Sequence, residues 1–132
     1  MFKNIGLLTS AANASWKRNE VIANNIANVN TPNFKKSSLK FEELLQNYLN
    51  SSTLAGKTTN ERHITIGNKL SDDIKFEIVK HNDYSTRRDG NNVEIDVEMA
   101  EMAKNSITYN TIIAKMNADL RRLRTVIVEG GR

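Results

Sequence analysis

Ile95–Ile127 reads IDVEMAEMAKNSITYNTIIAKMNADLRRLRTVI. Taken in alternating steps of four and three, it yields Ile95, Met99, Met102, Ser106, Tyr109, Ile113, Met116, Leu120, Leu123 and Ile127, an apolar row with one polar interruption. A side chain every 3.5 residues on average keeps one stripe of a helix against a partner, the spacing of a coiled coil. The row predicts a long helix that runs to about Val128 and stops at Gly130 and Gly131. Asp96 is its expected cap, and Glu98 suits the positive end of its dipole. Working outward, the opposite end of the chain carries a second, weaker row: Ile5, Leu8, Ala12, Ser15, Asn19, Ile22, Ile26 and Val29. Asn19 at such a position either fixes register or belongs to a solvated face.

The two rows predict a mainly α fold, with long N- and C-terminal helices paired as an antiparallel coiled coil around an irregular central segment. The chain divides on this reading into an N-terminal helix and turn (1–34), a variable centre (35–92) and a C-terminal helix (93–132). The N-terminal helix runs from about Phe2 to Val29 and ends by Asn30, because Pro32 forces Thr31 out of the helical region and has no N–H to donate. Asn33 fits a turn that needs positive φ, which asparagine tolerates. In the centre, Leu39, Phe41, Leu44, Leu45, Tyr48 and Leu49 mark a short amphipathic helix. Asn50–Asn60 reads as a loop, and His63–Ile66 with Ile74–Val79 as two strands of a short β-hairpin. Asp89, Gly90, Asn91 and Asn92 make a further turn.

Composition excludes more than it selects. The 132 residues are enough for one domain, but two helices side by side enclose little, and only 6% of the residues are aromatic. A net charge of +4, with basic and acidic residues interleaved, gives no phosphate-binding surface. Without cysteine there is no thiolate nucleophile, disulfide or zinc finger. No apolar run is long enough to span a membrane, and the first ten residues lack the apolar core of a cleaved signal. The acidic group Glu94, Asp96, Glu98 and Glu101 suits a helix start better than a metal site, and His63 and His81 stand alone. No nucleophile, base and orienting group converge, so the reading assigns no catalytic residue, cofactor or small-molecule substrate. Trp16 is expected to anchor packing, or to act as a hot spot at a subunit contact.

The most specific string is Ala23–Phe34, ANNIANVNTPNF. It resembles the N-terminal signature of the bacterial flagellar axial proteins, the family that builds rod and hook. Asn92–Ser106, NVEIDVEMAEMAKNS, with Tyr109 and the run LRTVI at Leu123–Ile127, looks similar to the C-terminal end of a proximal rod subunit. The resemblance covers about the first 36 and last 40 residues and leaves the centre unmatched. Where many axial proteins have glycine, this chain has Asn33, which keeps access to positive φ. Carried onto this sequence, the resemblance implies a signature turn of Asn24, Asn25, Asn28, Asn30, Thr31, Pro32, Asn33 and Phe34. It also implies subunit contacts through Ile5, Leu8, Ile22, Ile26, Val29, Met99, Met102, Tyr109, Ile113, Met116, Leu120, Leu123 and Ile127.

The implied function is that of a structural, non-enzymatic subunit of the flagellar basal body. It would polymerise through its terminal helices into the shaft that carries torque from motor to hook. The implied partners are copies of itself, other rod proteins, the FliE adaptor and the flagellar type III export apparatus, which would deliver it to the periplasmic rod without cleavage of a signal. The rival reading is a coiled-coil adaptor or a small basic DNA-binding protein. It would need Arg121, Arg122 and Arg124 to recognise a partner or operator.

Overall fold

The structure, a computed structural model, describes residues 2–51, 76–82, 85 and 87–130. Three helices and two strands follow in the order α1 (Phe2–Ala27), β1 (Ser37–Lys40), α2 (Glu42–Ser51), β2 (Glu77–Lys80) and α3 (Ile95–Glu129). α1 and α3 pack along each other. Their cross-contacts pair Asn25 with Glu98, Ser15 with Asn105 and Thr9 with Met116, so the two run antiparallel. This is the mainly helical architecture that the two heptad rows predict.

The helix ends follow local chemistry. α1 stops at Ala27 and unwinds through Asn28–Asn30 ahead of Pro32. Asn33 takes φ 59°, as its place in the turn predicts, and its N–H donates to the Asp89 carbonyl at 2.8 Å. α3 is capped by position rather than by a side chain. Glu94 is the N-cap residue in an extended conformation and makes no side-chain cap bond, so Asp96 lies inside the first turn, where its charge favours the dipole. At the other end Gly130 closes the helix with φ −79°, an ordinary right-handed value, and its N–H reaches the Val126 carbonyl at 2.8 Å.

The centre departs from the sequence reading. β2 begins at Glu77, and its antiparallel partner is Ser37–Lys40, with Leu39 opposite Ile78. The sheet therefore joins the segment after α1 to the segment before α3, and Leu39 is a strand residue rather than the first of a helix. Alternation explains this: Leu39 and Phe41 are buried while Lys40 between them is exposed, a period of two. The short helix starts after Phe41 and runs through Ser51, so the expected loop at Asn50–Asn60 begins with helical residues. The remainder of that loop, and the strand expected at His63–Ile66, lie outside the described residues. The buried apolar cluster is small. Ala14, Leu39 and Phe41 are its members, with Ala11 and Leu45 packed against it, and it lies where α1 meets β1 and the start of α2.

Candidate assembly surface

The seam between α1 and α3 is built from amides as much as from hydrocarbon. On α3 the buried residues are Glu98, Asn105 and Asp119, seven and fourteen residues apart. They form, with half-buried Met102, Tyr109, Ile112, Met116 and Leu123, a second alternating row of threes and fours. At 100° per residue this row is centred about 50° round the helix from the row that hydrophobicity picks out. Met102, Tyr109, Met116 and Leu123 belong to both. Met99, Ser106, Ile113, Leu120 and Ile127 belong only to the apolar row; Ser106 and Ile113 are half-buried, whereas Met99, Leu120 and Ile127, with Ile95 ahead of the second row's start, are 58%, 45%, 74% and 43% exposed.

Each buried polar group has a partner. Asn105 Nδ2 donates to the Ser15 carbonyl at 2.8 Å and to Asn19 Oδ1 at 2.7 Å, while its Oδ1 accepts from Ser15 Oγ at 3.1 Å. Asn19 thus faces the partner helix rather than solvent. Asn25 Nδ2 donates to Glu98 Oε2 at 2.9 Å and to the Ser37 carbonyl at 2.8 Å, and Asn25 Oδ1 accepts the Ser37 N–H at 3.0 Å. One amide thereby ties α1, β1 and α3 together. Lys36 Nζ stands 3.9 Å from Glu98 Oε1 and offsets its charge. Asp119 is held on its own helix by Lys115 at 3.1 Å and Arg122 at 3.5 Å. No buried side-chain nitrogen or oxygen is left without a partner among the described residues, as the cost of an unmade bond in a dry site requires.

The signature turn is fastened by a residue it does not contain. Asn91 is fully buried, and its Nδ2 lies 3.0 Å from each of the Asn28, Val29 and Thr31 carbonyls, sharing two hydrogens among three acceptors. These carbonyls lie where α1 gives way to the turn and its own hydrogen bonds run out. Asn91 Oδ1 accepts the Val93 N–H at 2.7 Å, which sets the chain for α3. Asn92 repeats the device on the sheet side, accepting the Lys36 N–H at 2.7 Å and donating to the His81 carbonyl at 2.9 Å. Gly90 has φ +77°, and a Cβ there would collide with Asn33 Oδ1, so the two turns interlock.

Within the turn itself, Asn28 Nδ2 donates to the Asn24 carbonyl at 2.8 Å and Thr31 Oγ1 donates to Asn28 Oδ1 at 3.2 Å. Asn24, Asn30, Thr31, Pro32 and Asn33 are exposed, and Phe34 is half-buried. On α1, Ile22 is buried and Ile5, Leu8 and Ile26 are half-buried, as is Val29 in the turn that follows; on α3, Met102, Tyr109, Ile113, Met116 and Leu123 are half-buried. Trp16 is 65% exposed, with its ring centroid 6.4 Å from that of Tyr109. It is not an internal anchor. It borders an open apolar groove with Ala23, Met102 and Ser106.

One ion pair steadies the far side of α1. Arg18 reaches both oxygens of Glu42 at 2.7 Å. Burial pushes the Glu42 carboxyl upward, but the Arg18 hydrogen bonds, the backbone N–H groups at the start of α2 and the guanidinium charge outweigh it and hold the carboxyl below its ordinary range. Arg121, Arg122 and Arg124, all exposed, lie near the end of α3. Among the described residues no group of three or more His, Asp or Glu could hold a metal ion, and no helix is long and apolar enough to cross a membrane.

Hydrophobicity alone missed Asn25, Glu98 and Asn105 as the residues that bond across the seam, Asp119 as a buried residue of α3 and Asn91 as the clamp on the turn. The signal was present, because Glu98, Asn105 and Asp119 repeat at multiples of seven and fall in step with Met102, Tyr109 and Met116.

Residues 7–35, which span most of α1 and the signature turn, match the family described as flagella basal body rod protein. Over nearly the whole chain the protein is similar to curated relatives named flagellar basal body rod protein FlgB. The Bacillus subtilis protein is 37% identical across 93% of this chain and 92% of its own length. The Aquifex aeolicus protein is 31% identical across 96% and 94%. The Proteus mirabilis protein is 33% identical across 86% and 85%.

Proposed function

The chain belongs to the FlgB family of flagellar basal body rod proteins and is a structural subunit of the rod, and from that premise we propose how it assembles. The outward apolar row of α3, with the half-buried ridge of α1 beside it, is the face through which it meets copies of itself and other rod proteins. One observation carries this reading: the buried residues of α3 are polar and satisfied, whereas Ile95, Met99, Leu120 and Ile127 are 43% to 74% exposed. A closed domain buries such residues, since each Leu, Ile or Met side chain removed from water contributes roughly 1.5 to 3 kcal/mol. Apolar patches left exposed at both ends of the helix are an unfinished interface.

In this reading the subunit belongs to the proximal, periplasmic part of the rod. It is delivered by the flagellar type III export apparatus without removal of a signal, and it has the FliE adaptor among its neighbours. Torque passes through many lateral helix contacts rather than one joint. The interface set is Ile5, Leu8, Ile22, Ile26, Val29, Met99, Met102, Tyr109, Ile113, Met116, Leu120, Leu123 and Ile127, and the signature turn fixes the angle at which α1 leaves it. An adaptor or DNA-binding role for Arg121, Arg122 and Arg124 is not favoured by the relatives.

Leu120→Asp and Ile26→Asp are the informative substitutions, because each sets a carboxylate in an apolar ridge. In a flagellated host whose own copy is deleted, both chains should be synthesised, yet swimming should be lost and isolated basal bodies should lack the rod. Full-length rods containing either variant would remove this surface from the assembly.

A further inference from the structure

The two ends of α3 carry apolar ridges framed by charges of opposite sign. At the start, Ile95 and Met99 share one side of the helix, with Asp96 about 100° round from Ile95 and Glu94, the N-cap residue, immediately ahead of it. At the finish, Leu120 and Ile127 share a side, with Arg124 between them and Arg121 next to it. All eight residues are exposed, and among the described residues Glu94, Asp96, Arg121 and Arg124 form no ion pair within the chain. Glu101 and Arg122 are set aside because Lys104 and Asp119 already engage them. Val126 and Val128 add further exposed hydrocarbon at the basic end, 67% and 65% in water.

We propose that the basic, apolar end of α3 docks on the carboxylate-flanked helix start of an axially adjacent rod subunit, a partner that presents the kind of end this chain itself presents at Ile95. The inference rests on the rod-subunit reading and adds a polarity to it. Opposite charges around matched apolar ridges favour head-to-tail contact, and they disfavour like end against like end, where the flanking charges would repel. The ridges cannot satisfy each other within one molecule, since Asp96 and Arg124 are 28 residues apart on one straight helix, about 42 Å. Head-to-tail contacts of this heterologous kind extend along an axis instead of closing a dimer.

The test uses the full chain in assembled basal bodies. A photoreactive benzophenone side chain replaces Ile127, and the cross-linked peptides are identified by mass spectrometry. The expected product joins position 127 to the first two turns of a C-terminal helix in a rod subunit, at an apolar residue within three positions of an Asp or Glu. Cross-links confined to another basic helix end, to lipid or to the side of α1 would overturn the polarity while leaving the rod reading intact. If the photoreactive chain does not assemble, charge variants decide. Arg121→Glu with Arg124→Glu should cut swimming at least about tenfold, and Arg121→Lys with Arg124→Lys should retain it to within about twofold. Equal swimming by the two pairs would sink the proposal. Loss of rods in Leu120→Asp alongside that equality would show that the ridge matters and its charges do not.

Discussion

The two faces of α3 reverse the usual order of a folded domain. Its buried residues are polar, Glu98 and Asn105 bonded across to α1 and Asp119 held by Lys115 and Arg122 of its own helix; its apolar Ile95, Met99, Leu120 and Ile127 are exposed. The inner face therefore specifies register, since an amide seam tolerates few alternative alignments, while the outer face keeps its hydrocarbon for another chain. A subunit so divided can be correctly folded and still incomplete.

The largest effect should separate the faces outright. Leu120→Asp, expected to stop assembly, should leave the melting temperature of the isolated chain within about 2 °C of the parent, because exposed positions away from special contacts rarely shift stability by more than about 0.5 kcal/mol. A large drop by circular dichroism would mean that Leu120 supports the fold after all. Next in size is Asn91→Ala. Stripping the clamp from three part-buried carbonyls and from the buried Val93 N–H should cost on the order of 2 kcal/mol, read as a melting point lower by several degrees. An unchanged melt would show that the signature turn holds without it.

The seam itself should respond in a graded way. Asn105→Ala leaves the Ser15 hydroxyl and carbonyl and the Asn19 amide short of partners and should cost about 1 to 2 kcal/mol. Asn105→Leu combined with Asn19→Leu and Ser15→Ala should recover most of that loss, because apolar groups then replace every side chain of the network. Such a chain should assemble less uniformly if the amides fix register, and heterogeneity in rod length would report it. The smallest effect is Arg18→Ala, below about 1 kcal/mol for so exposed a pair. Its sign follows from the lowered Glu42 carboxyl: the pair stabilises the fold above the ordinary carboxylate range, and the contribution fades as pH falls through the depressed value. Parent and variant should therefore melt apart at pH 7 and together in strong acid.

The long helices, their pairing and the Asn33 turn were legible in the sequence, because a 3.5-residue period, a proline and an asparagine act locally. The orientation of α3 was not. Two heptad rows overlap at Met102, Tyr109, Met116 and Leu123, and hydrophobicity favours Ile95, Met99, Leu120 and Ile127 over Glu98, Asn105 and Asp119. That choice is right for a self-contained domain and fails where the outer row is kept for a neighbour. The strand expected at Ile74–Val79 overlaps β2, but its partner was missed for a related reason: Leu39 and Phe41 read as part of a helical stripe until Glu77–Lys80, distant in sequence, supplies the ladder. Asn91 was hidden because its acceptors lie about sixty residues earlier, in a turn whose chemistry looked complete by itself.

The inside-out arrangement of α3 is most directly tested by thiol labelling, which the absence of cysteine from the chain makes clean. Met99→Cys and Leu120→Cys chains would be treated with a maleimide as isolated subunits and as assembled basal bodies, with Asn105→Cys as the buried reference. The account predicts that positions 99 and 120 react readily in the free chain and are protected at least about tenfold in the rod, as burial at a packed interface requires. Position 105 should be slow in both. Equal reactivity of 99 and 120 before and after assembly would contradict it.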